Sequence, residues 1–213
     1  PMITTIIFDL DGLLADTEPL QMQAYQQALL TQGITLTDDE YARHWIRAGL
    51  GIDQFVADRR LSIAPNLVRQ EKARHYQALL ETSLHAMPGA VELLERLYRR
   101  KRLAVASASF RDNVEQILRS LDFARYFDVV AAGDDVEHGK PAPDIFLYTA
   151  RQLKVEPSEC VVIEDAEKGI LAAKHAGMKS IAVPNRHTLD NDFSAASYVV
   201  NSLSEVERLL ELL

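Results

Sequence analysis

The 213-residue sequence contains a single cysteine, Cys160, so no disulfide can close within the chain. That thiol lies in the apolar run Cys160 to Ile163, where a buried, unreactive state is expected. Basic residues are in deficit, because 23 Lys plus Arg face 31 Asp plus Glu, and the formal charge of -8 repels nucleic acid and anionic membrane surfaces. No apolar run approaches the roughly 20 residues of a membrane span. No basic segment precedes the apolar start Ile3 to Phe8 in the manner of an export signal. These absences predict a cytoplasmic protein in a reducing compartment, monomeric, with no nucleic-acid and no membrane partner. The glycine pattern GxGxxG is missing after the first apolar run. Gly133 and Gly139-Lys140 are spaced wrongly for a phosphate loop, and Pro141 stands where such a loop needs Ser or Thr. A nucleotide-binding module without catalysis, the lesser alternative, therefore lacks its fingerprint.

What is present is an ordinary globular composition, 47% hydrophobic and 25% charged, with no internal repeat and no low-complexity segment. Apolar, β-branched runs at Ile3 to Phe8, Leu103 to Ala106, Val129 to Ala132, Val161 to Ile163 and Ser180 to Val183 predict strands. Helical spacing intervenes at Ala90, Leu93, Leu94 and Leu97, at Val114, Ile117, Leu118 and Leu121, from Ile145 to Leu153, and from Ile170 to Ala176. Continuous apolar strands alternating with helices indicate the α/β class, a doubly wound, Rossmann-like parallel sheet covered on both faces. The rhythm breaks once, between Asp16 and His85, where the pattern is helical throughout and far longer than the dozen or so residues a crossover needs. The predicted organisation is a catalytic core of residues 1–15 and 86–213 with an all-helical domain, residues 16–85, inserted after strand one. The second tether is marked by Pro88-Gly89.

In open parallel sheets, ligands bind outside the carboxyl ends of the strands. Those ends carry Asp9-Leu10-Asp11-Gly12, Ser107-Ala108-Ser109, Gly139-Lys140-Pro141 and Glu164-Asp165. Singly, each has a plain structural explanation: a turn for Asp11-Gly12, a helix cap for Ser107, Ser109 or Asp165, a solvated loop lysine for Lys140. Four coincidences at four successive strand ends favour one site. Asp9 and Asp11, two apart, point to the same side of an extended backbone. Together with Glu164 and Asp165 they make four carboxylates that cannot all stay ionised without a cation, and a donor set of oxygens alone favours Mg²⁺. One Asp can then attack phosphorus while the other protonates the departing alkoxide, giving an aspartyl-phosphate. Lys140, the Ser107 hydroxyl and neighbouring backbone N–H groups such as that of Ala108 would neutralise the phosphoryl oxygens.

These four motifs, in this order, resemble those of the haloacid dehalogenase superfamily: Phe8-Asp9-Leu10-Asp11-Gly12, Ala106-Ser107-Ala108-Ser109, Gly139-Lys140-Pro141-Ala142-Pro143-Asp144 and Ile163-Glu164-Asp165-Ala166. The helical insertion matches that superfamily's cap, and the branch most similar is the β-phosphoglucomutase-like sugar phosphatases. The resemblance implies Asp9 as nucleophile, Asp11 as general acid/base, and Ser107 and Lys140 as phosphate ligands. It also implies Mg²⁺ held by Asp9, the Asp11 backbone carbonyl, Asp165 and Glu164. Dehalogenases lack the second Asp of the first motif, so phosphoryl chemistry is implied. Phosphonoacetaldehyde hydrolases use a cap lysine, and the only lysine of this insertion is Lys72. Gln21 stands where relatives commonly carry a cap histidine. Arg47-Ala48-Gly49-Leu50 replaces the Gly-x-Ser-Arg stretch of β-phosphoglucomutases. Both departures count against a mutase, which remains the alternative. Gln21 and Arg47 are the candidate substrate contacts of the insertion, and the expected substrate is a small phosphorylated metabolite, a sugar phosphate foremost.

Overall fold

Five runs rich in Val, Ile and Ala form the body of one parallel sheet in the computed structural model, which describes residues 2–212. In chain order β1 (Thr5–Phe8) is followed by four helices, α1 (Glu18–Leu30), α2 (Asp38–Tyr41), α3 (Ile52–Asp58) and α4 (Pro65–Thr82). Then come α5 (Ala90–Leu97), β2 (Arg102–Ala106), α6 (Arg111–Ser120), β3 (Val129–Ala131), α7 (Asp144–Leu153) and β4 (Cys160–Glu164). The chain finishes with α8 (Glu167–His175), β5 (Lys179–Ala182), the two-residue β6 (Tyr198–Val199) and α9 (Leu203–Leu210). The strand order is β3-β2-β1-β4-β5-β6 and every pairing is parallel. The order reverses at β1, so the crossovers leaving β1 and β4 diverge and open a crevice at their carboxyl ends.

Every residue of β1 and β4 is buried, as a strand covered on both faces requires. On one face Ile7, Ala104, Ala106, Cys160 and Val162 pack with Ile145, Phe146, Ala150 and Leu153 of α7 and with Ala172 and Ala173 of α8. The alternate residues Ile6, Phe8, Leu103, Val105, Val161 and Ile163 are buried as well. The apolar stripes of α5 (Leu93, Leu94, Leu97), α6 (Val114, Ile117, Leu118) and α9 (Leu203, Val206, Leu210) are buried in the same unit. Each fully buried side chain of this kind contributes roughly 1.5–3 kcal/mol.

The chain divides into two compact units, Pro1–Asp16 with His85–Leu213, and Thr17–Leu84. The second is helical, with no strand among its described residues. Pro19 and Pro65 sit in the first turns of α1 and α4, where the missing N–H costs nothing. Its centre gathers Ala28, Leu29, Tyr41, Ile52, Phe55 and Val68, and the Tyr41 ring stacks on Trp45 at 5.2 Å and 14°. Within the first unit the entry and exit of this excursion lie side by side. Asp16 N–H donates to the His85 carbonyl and Met87 N–H to the Leu14 carbonyl, both at 2.9 Å, and Ala15 bridges Ala86 in antiparallel fashion. No helix among the described residues is long and apolar enough to cross a membrane.

Candidate active site

The four motifs meet at the carboxyl edge of the sheet. Asp9 is one step past β1, and its N–H still donates to the Ile163 carbonyl at 2.9 Å, so the side chain emerges from a backbone held by β4. The Lys140 ammonium lies beside it and places all three protons: on Asp9 Oδ1 at 2.6 Å, on Glu164 Oε1 at 2.7 Å and on the Ala106 carbonyl at 3.0 Å. Only 2% of that side chain is exposed. The other oxygen of Glu164 accepts the N–H groups of Asp165 and Ala166, each at 3.0 Å, so both carboxylate oxygens have donors. Asp11 faces the second motif, where its Oδ2 accepts the hydroxyls of Ser107 and Ser109, each at 2.9 Å. The Ser109 N–H in turn donates to Ser107 Oγ at 3.0 Å.

Burial dominates the electrostatics. It pushes the Asp9 carboxyl up to about 7, opposed by Lys140 and reinforced by Glu164 and Asp11. Asp165 is likewise raised well above the usual carboxylate range by burial, then by Glu164 and Asp9. For Lys140, burial favours the neutral amine, but Asp9 and Glu164 outweigh it and the ammonium is held more tightly than in water. Asp9, Glu164 and Asp165 each bring one carboxylate oxygen within 4.8 Å of the others. With one ammonium among these buried carboxyls the ionised forms of Asp9 and Asp165 are disfavoured, and a bound cation would favour them. The donors are all hard oxygens, so the residues present fit an oxygen-coordinated divalent cation. The Asp11 carboxylate is turned to the serines and is not part of this trio.

The helix-cap explanation of the motif residues does not hold. α6 is capped by Phe110 and α8 by Ala166, and neither end receives a side-chain bond from Ser107, Ser109 or Asp165. Ala108 is exposed between two serines. Gln21 and Arg47 belong to the helical unit. Gln21 accepts a hydrogen bond from Lys72, whose ammonium lies 4.4 Å from the Tyr76 ring centroid. Arg47 is exposed at the end of the π-helical turn Ala42–Arg47. The Ser109 hydroxyl joins that of Ser107 on Asp11, and its position two residues past Ser107 puts both hydroxyls on one side of an extended chain. Asn185, in the segment after β5, is a site residue with no motif around it. Its amide nitrogen donates to Asp165 Oδ2 at 2.8 Å and to the Gly12 carbonyl at 3.0 Å. A lone polar loop residue carries no signal of that kind.

Comparison with known proteins places the chain in a family. Residues 6–183 fit the family model described as haloacid dehalogenase-like hydrolase. A phosphorylated carbohydrates phosphatase of Thermotoga maritima is 37% identical over 83% of this chain and 82% of its own length. The fructose-1-phosphate phosphatase YqaB of Escherichia coli is 34% identical over 84% of this chain and 95% of its own. The crystal structure of CbbY from Rhodobacter sphaeroides in complex with phosphate superimposes with a TM-score of 0.82 at 32% identity, covering 96% of each chain. With the family model spanning β1 to the end of β5 and four motifs converging at one sheet edge, the chain belongs to the haloacid dehalogenase-like hydrolases.

Proposed function

We propose that the protein is a Mg²⁺-dependent phosphatase that hydrolyses a small phosphorylated sugar through a phosphoryl-Asp9 intermediate. The observation that carries this reading is the buried Asp9 carboxylate held against the Lys140 ammonium at 2.6 Å, with Asp11 two residues away on hydroxyl donors. An Asp9 oxygen attacks phosphorus, the phosphorus–alkoxide bond breaks, and a proton from Asp11 passes to the leaving oxygen to give the free sugar hydroxyl. In the second half water attacks the phosphoryl-aspartate and gives its proton to Asp11. Inorganic phosphate leaves and the Asp9 carboxylate is restored. Lys140, Ser107 and the Ala108 N–H would neutralise the charge that builds on the phosphoryl oxygens. Asp9, Asp165 and the Asp11 carbonyl would hold Mg²⁺, with Glu164 orienting Lys140, since both Glu164 oxygens already accept donors. When bound, the cation supplies positive charge next to the transferring group. The relatives named as carbohydrate phosphatases support a sugar phosphate as substrate.

Phosphate release from a panel of phosphorylated sugars with Mg²⁺ tests the reading, with β-glucose 1-phosphate and a trace of its bisphosphate included to detect mutase activity. Asp9→Asn should form no phosphoenzyme and lose about 10⁴-fold or more in turnover. Asp11→Asn should lose about 10²–10⁴-fold yet still be labelled by a substrate with a good leaving group. Near-normal turnover by Asp9→Asn overturns the nucleophile. Glucose 6-phosphate as main product overturns the phosphatase.

A further inference from the structure

We infer that Asn185 is a positioning residue that sets the Asp165 carboxylate for cation binding and ties it to the first-motif loop. The inference rests on the proposed cation site. Both amide protons of Asn185 are used at that site, one on Asp165 Oδ2 at 2.8 Å and one on the Gly12 carbonyl at 3.0 Å. Its Oδ1 accepts the His187 N–H at 2.7 Å, and its own N–H donates to Thr188 Oγ1 at 3.0 Å. The orientation of the amide is therefore determined by its neighbours. Reversed, it would set an oxygen against two oxygen acceptors and an NH₂ against an N–H.

Two motifs that lie far apart in sequence are joined through this one side chain. Asp165 follows β4, and Gly12 follows Asp9 and Asp11. A carboxylate at a strand end rotates about its last side-chain bond, and a donor on one oxygen fixes that rotation. The packing is close enough to exclude alternatives. Gly12 has φ +82°, and a Cβ there would fall 2.7 Å from Asp165 Oδ2 and 2.9 Å from Asn185 Nδ2. The Gly12 position is thus shaped around this pair of groups, which supports a fixed role for the amide rather than a chance surface contact.

The test is Mg²⁺ titration of the full-length protein by calorimetry, with turnover measured across Mg²⁺ concentration. Asn185→Ala should weaken Mg²⁺ binding by about 10–100-fold, the range seen when partners of metal ligands are removed. Turnover should recover substantially at saturating Mg²⁺, a split that a folding defect would not produce. Asp192→Ala is the control: it removes the acceptor of the Ser194 N–H in the same loop, which does not touch Asn185, and should lower the melting temperature without a comparable change in Mg²⁺ affinity. Should Asn185→Ala fail to fold, Asn185→Ser is measured in the same way, because its hydroxyl stays near the loop but is too short to reach Asp165. Unchanged Mg²⁺ affinity in a folded variant overturns the inference. Absence of Mg²⁺ binding by the unaltered protein instead overturns the cation site on which it rests.

Discussion

Gly169 lies in the first turn of α8, where a change to Ala would ordinarily stabilise a helix by about 1 kcal/mol. The Glu164 carboxylate reverses that expectation. An alanine Cβ would sit 1.8 Å from Glu164 Oε1, so the carboxylate would have to leave Lys140 and the two backbone N–H groups it receives. Hydrogen bonds to charged groups contribute about 1.5–3 kcal/mol each, more than the helix gains. Gly169→Ala should therefore destabilise by about 2–5 kcal/mol and lower turnover, as urea denaturation and phosphate release would show. A more stable, fully active variant would mean that Glu164 does not need its present place. The same closeness explains why small residues outside the four motifs matter to the site: they define the space in which charged groups are held.

Among the elements, the short helix α2 shows how local chemistry carries structure in the helical unit. Thr37 Oγ1 accepts the Glu40 N–H at 3.2 Å while the Thr37 N–H donates to Glu40 Oε2 at 2.9 Å, a reciprocal cap. Thr37→Ala should cost about 1 kcal/mol, seen as a lower denaturation midpoint and faster amide exchange at Glu40 and Tyr41, with Thr37→Ser retaining most of the stability. The Thr37 N–H, first among several causes, holds the Glu40 carboxyl below its ordinary value of 4.5. A depressed acid contributes fully above its unfolded value and loses that contribution as pH falls through the folded one, so the cap should loosen in acid below about pH 4.

Elements of this kind differ in how plainly they are written in the chain. The strand runs were legible because strands buried on both faces are mostly apolar and β-branched, and β1 to β5 fall within a residue or two of the expected runs. β6 was not, since two exposed residues, Tyr198 and Val199, make no run at all. α9 went unread among the polar residues Ser204, Glu205 and Glu207, although Leu203, Val206 and Leu210 are buried. At the site, the convergence of Asp9, Asp11, Ser107, Lys140, Glu164 and Asp165 was legible because each follows an apolar run that reads as a parallel strand. The partners that hold them, Ser109, Asn185 and Gly169, depend on which loop approaches which, and that is set by packing rather than by spacing.

For the molecule as a whole, the paired tethers mean that the excursion from Thr17 to Leu84 leaves and rejoins the first unit at one point. Joining Asp16 to His85 through a two- to four-residue turn should leave a folded sheet unit, because hairpin connections of that length are common. We expect the shortened protein to keep slow hydrolysis of a small aryl phosphate and to lose discrimination among sugar phosphates. Ratios of kcat/KM across the panel are the measurement, and unchanged ratios in a folded protein would place specificity in the sheet unit.

The strand order has a further consequence, for synthesis rather than catalysis. β1 is made first yet ends at the centre of the sheet, with Thr5 paired to Arg102 on one side and to Cys160 on the other. At translation speeds of about 5–20 residues per second, β1 waits several seconds for its first neighbour and longer for its second. Throughout that interval Ile6, Ile7 and Phe8, wholly buried in the finished protein, have no sheet to enter. The helical segment, which has an apolar centre of its own, emerges next, behind a strand that still lacks both neighbours. Until β4 has appeared, the strand that ends most deeply enclosed has at most one of its two neighbours.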